Sequence, residues 1–182
     1  MTSRSRRWCF TGCLLTLFVA GCGQSPESVT AQAAPAKAVE SPAAVPKSAT
    51  EFPALRLPLI GGGVYDLTSQ RGSWVVVNFW ATWCAPCVKE MPELSALHDA
   101  HDHVNVVGLA YEQIEPEALQ KALARRPVSY PIAIVDPFEM PPGIAAPRGL
   151  PMTYLIDPQG NVKREFLGPV TRADIERAIA AS

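Results

Sequence analysis

Val75-Val76-Val77-Asn78-Phe79-Trp80-Ala81-Thr82-Trp83-Cys84-Ala85-Pro86-Cys87 is the stretch on which the fold turns. Residues 74–79 form an apolar run that reads as a buried strand, apolar on both faces as central parallel strands are. A helical segment follows from Cys84. A Cys-x-x-Cys pair that opens a helix directly after a strand is the redox reading of cysteine spacing. Cys84 then sits at the helix N-terminus, where unpaired N–H groups and the macrodipole favour a thiolate. Cys87 lies one turn further on, near enough to close a small disulfide. The pair suits reversible two-electron thiol–disulfide exchange.

On the N-terminal side, residues 55–59 and 64–66 read as two short strands joined by the turn Gly61-Gly62-Gly63. Residues 67–71 make a short helical turn. On the C-terminal side the helix from Cys84 to about His101 is expected to be interrupted and kinked near Pro92, which lacks a backbone donor and clashes one turn back. Residues 104–110 read as a second strand and residues 115–126 as an amphipathic helix. In that helix Leu119, Ala122 and Leu123 share a face opposite Gln120, Lys121 and Arg125. Residues 130–135 form a short strand. Residues 152–156 and 162–167 flank the turn Asp157-Pro158-Gln159-Gly160-Asn161 and form a hairpin. Residues 171–180 form a last helix, capped by Thr171 with Asp174 at N3. Alternating strands and helices followed by a hairpin define an α/β sandwich with a mixed sheet.

The chain has 182 residues, 48% of them hydrophobic, which supports one compact domain. Setting aside Arg4, Arg6 and Arg7 of the leader leaves 13 basic against 17 acidic side chains. No clustered basic face speaks for nucleic acid, and no nucleic-acid partner is expected. The five cysteines are Cys9, Cys13, Cys22, Cys84 and Cys87. Cleavage of a leader would remove the first two. Cys22 is then an odd cysteine, and nothing remains for a disulfide scaffold.

Residues 1–21 read as a signal peptide: a basic start, then about thirteen apolar residues, fewer than the ~20 typical of a membrane span. Val19-Ala20-Gly21-Cys22 resembles a bacterial lipobox, with Cys22 as the lipidated new N-terminus. Acyl chains at ~0.8 kcal/mol per buried CH₂ would anchor it stably. This implies the bacterial cell envelope, with the domain on the periplasmic or other extracytoplasmic side. Gly23 after the cysteine favours the outer membrane by the enterobacterial sorting pattern, and the choice of membrane stays open. Residues 22–51 comprise Cys22 and a tether rich in Ala, Pro and Ser, without aromatic residues or apolar periodicity, that reads as disordered. It would reach roughly 30 Å as a coil and about 90 Å extended.

Residues 52–182 resemble the thioredoxin superfamily. Within it they are similar to the membrane-tethered TlpA/ResA-like thiol–disulfide oxidoreductases. The resemblance is strongest over Val76-Val77-Asn78-Phe79-Trp80-Ala81-Thr82-Trp83-Cys84-Ala85-Pro86-Cys87-Val88-Lys89-Glu90-Met91-Pro92-Glu93-Leu94, and again over Gly149-Leu150-Pro151-Met152-Thr153-Tyr154-Leu155-Ile156-Asp157. It implies a thioredoxin-like three-layer sandwich: a central mixed β-sheet flanked by helices, with the N-terminal β-hairpin as an extension. It also implies that Pro151 is cis and faces the cysteines, and that with Leu150 it offers backbone to an extended substrate segment. Trp83 and Pro86 would complete the substrate-binding surface. Asn78 stands where thioredoxin itself has an aspartate, and Asn78 cannot take a proton. The tethered subfamily has instead a glutamate three residues after the second cysteine, matched by Glu90 on the same helix face as Cys87. Met152 stands where relatives commonly carry threonine, and its soft sulfur would bear on substrate choice.

The expected catalytic residues are therefore Cys84, Cys87 and Glu90. Cys84 attacks a protein disulfide, Cys87 resolves the mixed disulfide, and Glu90, with a pKa raised by desolvation, accepts the Cys87 proton. The Cys84–Cys87 disulfide is the oxidised product. No histidine lies between the cysteines, unlike strong oxidants, so a reductase is expected, re-reduced by a membrane electron donor. The family often reduces apocytochrome c cysteines before haem attachment.

No cofactor or metal is expected. Zinc needs about four ligands and no second cysteine pair exists; His98, His101 and His103 decorate a polar helix end. Two other functions are kept. A peroxiredoxin-like antioxidant would need Pro-x-x-x-Thr-x-x-Cys, and Thr82 lies two residues before Cys84, not three. A Cu(I) carrier would suit paired thiolates, but copper-delivering relatives place three residues between their cysteines.

Overall fold

The computed structural model describes residues 55–182. The expected signal peptide, Cys22 lipidation site and tether lie outside the described residues. Among the described residues, seven strands and three α-helices follow in order: β1 (Arg56–Pro58), β2 (Val64–Asp66), β3 (Trp74–Trp80), α1 (Ala85–Ala100), β4 (Val104–Tyr111), α2 (Pro116–Ala124), β5 (Ile132–Val135), β6 (Met152–Ile156), β7 (Val162–Leu167) and α3 (Arg172–Ala180). A 3-10 turn, Leu67–Gln70, follows β2, and Asp66 caps it by accepting from the Thr68 N–H.

The main sheet has the order β5-β4-β3-β6-β7. β3, β4 and β5 are mutually parallel, while β6 runs antiparallel to β3 and β7 antiparallel to β6. The two parallel crossovers step in the same direction across the sheet. Right-handed connections therefore put α1 and α2 on one face. α3 joins them there. Met91, Leu94 and Leu97 of α1, Leu119 of α2, and Ile175 and Ala178 of α3 pack on Val76, Trp80, Val106 and Leu155 of the sheet.

The alternate residues of the same strands build a second core. Val75, Val77, Phe79, Val107, Leu109, Tyr154 and Ile156 face Leu55, Leu57, Tyr65 and Leu67. The third layer is thus the β1–β2 hairpin with its 3-10 turn. Gly62 and Gly63 carry φ of 93° and 82° in the hairpin turn, a region open to glycine. The hairpin also closes an edge: Leu59 bridges Ala133, and the Ile60 N–H donates to the Ile132 carbonyl at 2.9 Å.

α1 runs unbroken through Pro92, where an interruption is expected from sequence. Proline costs that helix one backbone hydrogen bond. Cys87, Met91, Leu94 and Leu97 are buried on a single face, and their packing holds the helix across the gap. The last helix matches its expected cap: the Thr171 side chain accepts from the Asp174 N–H, and the Asp174 carboxylate accepts from the Thr171 N–H. The histidines brace the far end of α1. His101 bonds Glu176 of α3 at 2.8 Å, and His98 Nδ1 accepts from the Val106 N–H.

Candidate functional site

β3 ends at Trp80, and four residues later Cys84 is the N-cap of α1. Its Sγ accepts from the Cys87 N–H at 3.3 Å, so the sulfur occupies the place where a capping oxygen would satisfy an orphan donor. Cys84 and Cys87 are joined as a disulfide, with Cα atoms 5.3 Å apart. Cys87 is wholly buried. Pro86, in the first helical turn where its missing N–H costs nothing, is exposed.

The loop that presents Cys84 is held from β4. Glu112 accepts from both the Thr82 N–H (2.6 Å) and the Thr82 hydroxyl (2.9 Å). Sequence reasoning missed this brace. Its signal is the β3–β4 register, which pairs Trp80 with Ala110 and so sets Thr82 beside Glu112.

The Leu150–Pro151 bond is cis. Phe79 pairs with Met152, which places Pro151 at the end of β3, on the same rim as the disulfide. The Pro151 carbonyl is occupied by the Gly168 N–H at 2.9 Å. Met152 is buried in the second core, where its sulfur accepts from the Tyr154 hydroxyl at 3.6 Å. It packs on the face of the sheet away from α1, so any bearing on substrate choice would be indirect.

Trp83 and Leu150, both predicted from sequence, line one groove of about 510 Å³. Phe138, absent from the predicted set, joins them there and is 82% exposed; Trp83 is 70% exposed. Two exposed aromatic side chains thus line one groove. No periodic pattern betrays Phe138, which lies in the irregular segment after β5.

Beneath the disulfide, Glu90 is only 2% exposed. Its two oxygens are separately held: Oε1 accepts from Asn78 Nδ2 at 2.8 Å and Oε2 from the Val170 N–H at 2.8 Å. Asn78 Nδ2 also donates to Thr153 Oγ1 at 2.9 Å. Burial pushes the Glu90 carboxyl up from its ordinary 4.5 to about 7, against the opposing pull of the Val170 N–H and the Asn78 amide. The site thus holds a redox pair and a carboxyl able to gain or lose a proton near neutrality. Among the described residues no cluster of His, Cys, Asp and Glu is arranged to hold a metal ion.

This fold and this disulfide define a thioredoxin-like thiol–disulfide oxidoreductase. The chain belongs to the Redoxin family, which matches residues 47–180. It is 36% identical over 117 residues to the thiol-disulfide oxidoreductase ResA of Geobacillus kaustophilus, covering 64% of this chain and 67% of that one. It is 32% identical over 134 residues to the thiol:disulfide interchange protein HelX of Rhodobacter capsulatus, covering 71% and 73%. Among solved structures it is similar to a DsbF homologue from Corynebacterium diphtheriae, with TM-score 0.62 and 28% identity over 71% of this chain and 84% of that one. A thioredoxin family thiol:disulfide interchange protein from Chlorobium tepidum gives TM-score 0.61 and 26% identity over 74% and 96%. The protein is a protein disulfide oxidoreductase of ResA-like type.

The raised Glu90 pKa has a consequence for stability. The native state holds this proton more tightly than the unfolded chain. Its contribution is therefore complete below about pH 4.5 and is lost as pH rises through about 7. The full difference is on the order of 3 kcal/mol. Urea unfolding of the oxidised protein at pH 5 and pH 8, set against Glu90→Gln, should show the wild type losing about that much relative to the variant.

Proposed function

We propose that the protein is an extracytoplasmic disulfide reductase, held at the membrane by lipid on Cys22 and acting on protein disulfides through Cys84 and Cys87. The observation that carries this reading is the Cys84 sulfur at the N-cap of α1, accepting from the Cys87 N–H. The Cys84 thiolate attacks one sulfur of the substrate disulfide. A mixed disulfide forms and the other substrate sulfur leaves as a thiolate. Cys87 loses its proton to Glu90 and attacks Cys84 Sγ. The substrate departs as a dithiol, and its two electrons have come from the cysteine pair, now a disulfide. A dithiol donor in the membrane restores the reduced pair.

The groove lined by Trp83, Phe138 and Leu150 receives the polypeptide flanking the substrate cysteine, with Pro86 and Pro151 framing the attacked bond. The family resemblance supplies one substrate: the paired cysteines of apocytochrome c before haem attachment. The direction of electron flow rests on the absence of histidine between Cys84 and Cys87, where Ala85 and Pro86 stand.

The test is the reduction potential of the Cys84–Cys87 pair, equilibrated against defined dithiol buffers. A value near or below the roughly −270 mV of thioredoxin is expected. A value near the −120 mV or so of DsbA would reverse the direction and make the protein an oxidant.

A further inference from the structure

One row of residues crosses the sheet at Asn78: Ile132, Gly108, Asn78, Thr153 and Phe166. Gly108 contributes no side chain to it. Its φ is not positive, so backbone freedom does not demand glycine there; space does. A Cβ at Gly108 would stand 2.5 Å from Ile132 Cδ1, 3.0 Å from Tyr130 Cε2 and 3.2 Å from Trp80 Nε1. The edge of the Tyr130 ring and the indole N–H of Trp80 therefore converge over Gly108, beside Asn78.

Tyr130 is 4% exposed, Trp80 2% and Asn78 0%. The Tyr130 hydroxyl, Trp80 Nε1 and Asn78 Oδ1 are all buried without a hydrogen-bond partner among the described residues. Buried polar atoms nearly always find partners, so three orphans on residues of one neighbourhood ask for an explanation. The Asn78 amide supplies part of it. Its Nδ2 is turned to Thr153 on β6 and to Glu90. Its Oδ1, on the other branch of the amide, is the atom left unpartnered, and β4 places Gly108 beside Asn78 in register. The three atoms are also chemically complementary: the indole N–H donates, the amide oxygen accepts, and the phenol does both. A single buried water is held by about two to four polar partners of this kind.

We propose that Tyr130 is a positioning residue of the Glu90 site: with Trp80 Nε1 and Asn78 Oδ1 it seats one buried water molecule, which locks the Asn78 amide in the orientation that donates to Glu90. The proposal rests on the reading of Glu90 as a working carboxyl. The groups around Glu90 are few. α1 contributes Cys87, β3 contributes Asn78, the segment before α3 contributes the Val170 N–H, and the segment before β5 contributes Tyr130. Of these only Tyr130 and Cys87, the latter tied in the disulfide, are themselves ionisable. Burial first, and then the negative charge of Glu90, pushes the Tyr130 phenol up, which keeps its hydroxyl protonated and able to donate.

The test is the titration of the Glu90 carboxyl in the oxidised full-length protein, followed by carbon-13 NMR of labelled glutamate, in wild type and Tyr130→Phe. Loss of the seat frees the amide to turn, and the Glu90 midpoint should rise by about half a pH unit to one unit. Trp80→Phe, which removes the N–H on the other side of the seat, should move it the same way and serves if Tyr130→Phe folds poorly. A cross-relaxation signal between the Trp80 indole proton and a long-lived water should be present in wild type and lost in Tyr130→Phe. An unchanged Glu90 midpoint in both variants overturns the proposal, as does a Tyr130→Phe protein that gains stability with its titration untouched, since the hydroxyl would then be idle. The titration does not depend on what Glu90 does for Cys87. A shifted midpoint beside a Glu90→Gln variant of undiminished exchange rate would sustain the seat and remove only the proton-acceptor role.

Discussion

Cys84→Ser is expected to abolish disulfide reduction, with turnover falling at least about a thousandfold, while the fold is kept. The argument starts from the helix. Cys84 Sγ sits at the N-cap and already accepts the Cys87 N–H. A serine oxygen takes that capping role well, so α1 retains its start. What serine cannot supply is a thiolate at neutral pH, and the thiolate is the nucleophile. Cys87 cannot substitute for it, being wholly buried. The complementary variant separates the two sulfurs. Cys87→Ser leaves Cys84 free to attack but removes the group that resolves, so the protein should accumulate as a mixed disulfide with its substrate, visible by non-reducing electrophoresis and mass spectrometry. Comparable activity in Cys84→Ser and wild type would mean that the attacking sulfur has been misassigned.

The second large effect belongs to Glu90. With its pKa near 7, Glu90 is a mixture of acid and carboxylate at neutral pH. Only the carboxylate can take the Cys87 proton. The resolving step should therefore accelerate as pH rises through about 7 and then level off. In Glu90→Gln the acceptor is gone, and the step must wait for Cys87 to ionise unaided. A free thiol has a pKa of about 8.5, and burial raises it further. The rate at pH 7 should fall on the order of a hundredfold, and the inflection should move above pH 8.5. Stopped-flow decay of a preformed mixed disulfide measures this step alone. A Glu90→Gln protein with the wild-type rate and the wild-type inflection would remove Glu90 from the mechanism and leave it a buried structural acid.

Much of this site was legible in the chain because it is local. Cys84, Cys87 and Glu90 lie within seven consecutive residues, and the helix period alone puts Cys87 and Glu90 on one side. The hairpin of β6 and β7 announced itself through Asp157 to Asn161, and the last helix through Thr171 and Asp174. What holds Glu90 was not legible. Asn78 and Val170 come to it from separate segments, Thr153 reaches Asn78 from a third, and one of the bonds to Glu90 is a backbone N–H that any non-proline residue there could donate. Glu112 and Phe138 were missed for the same reason: each reaches the rim from the end of a different strand, at a position no period marks. Pro92 misled in the other direction. Its local cost is real, but α1 is decided by the face it buries, and local propensity gave way to packing. The direction of Met152 was not legible, because family pattern marks a position and not a direction; the alternation of β6 turns it into the second core.

The hairpin that covers β5 matters beyond the layer it builds. An uncovered outer strand is a template on which a second copy of the chain can continue the sheet. On the β5 side, the Leu59 bridge and the Ile60 N–H bond occupy that template. On the other side β7 is the outer strand, and it carries Lys163, Arg164 and Glu165 in succession, charges that discourage strand-to-strand joining. A second copy approaching the sheet would therefore meet one edge already engaged and one guarded by charge.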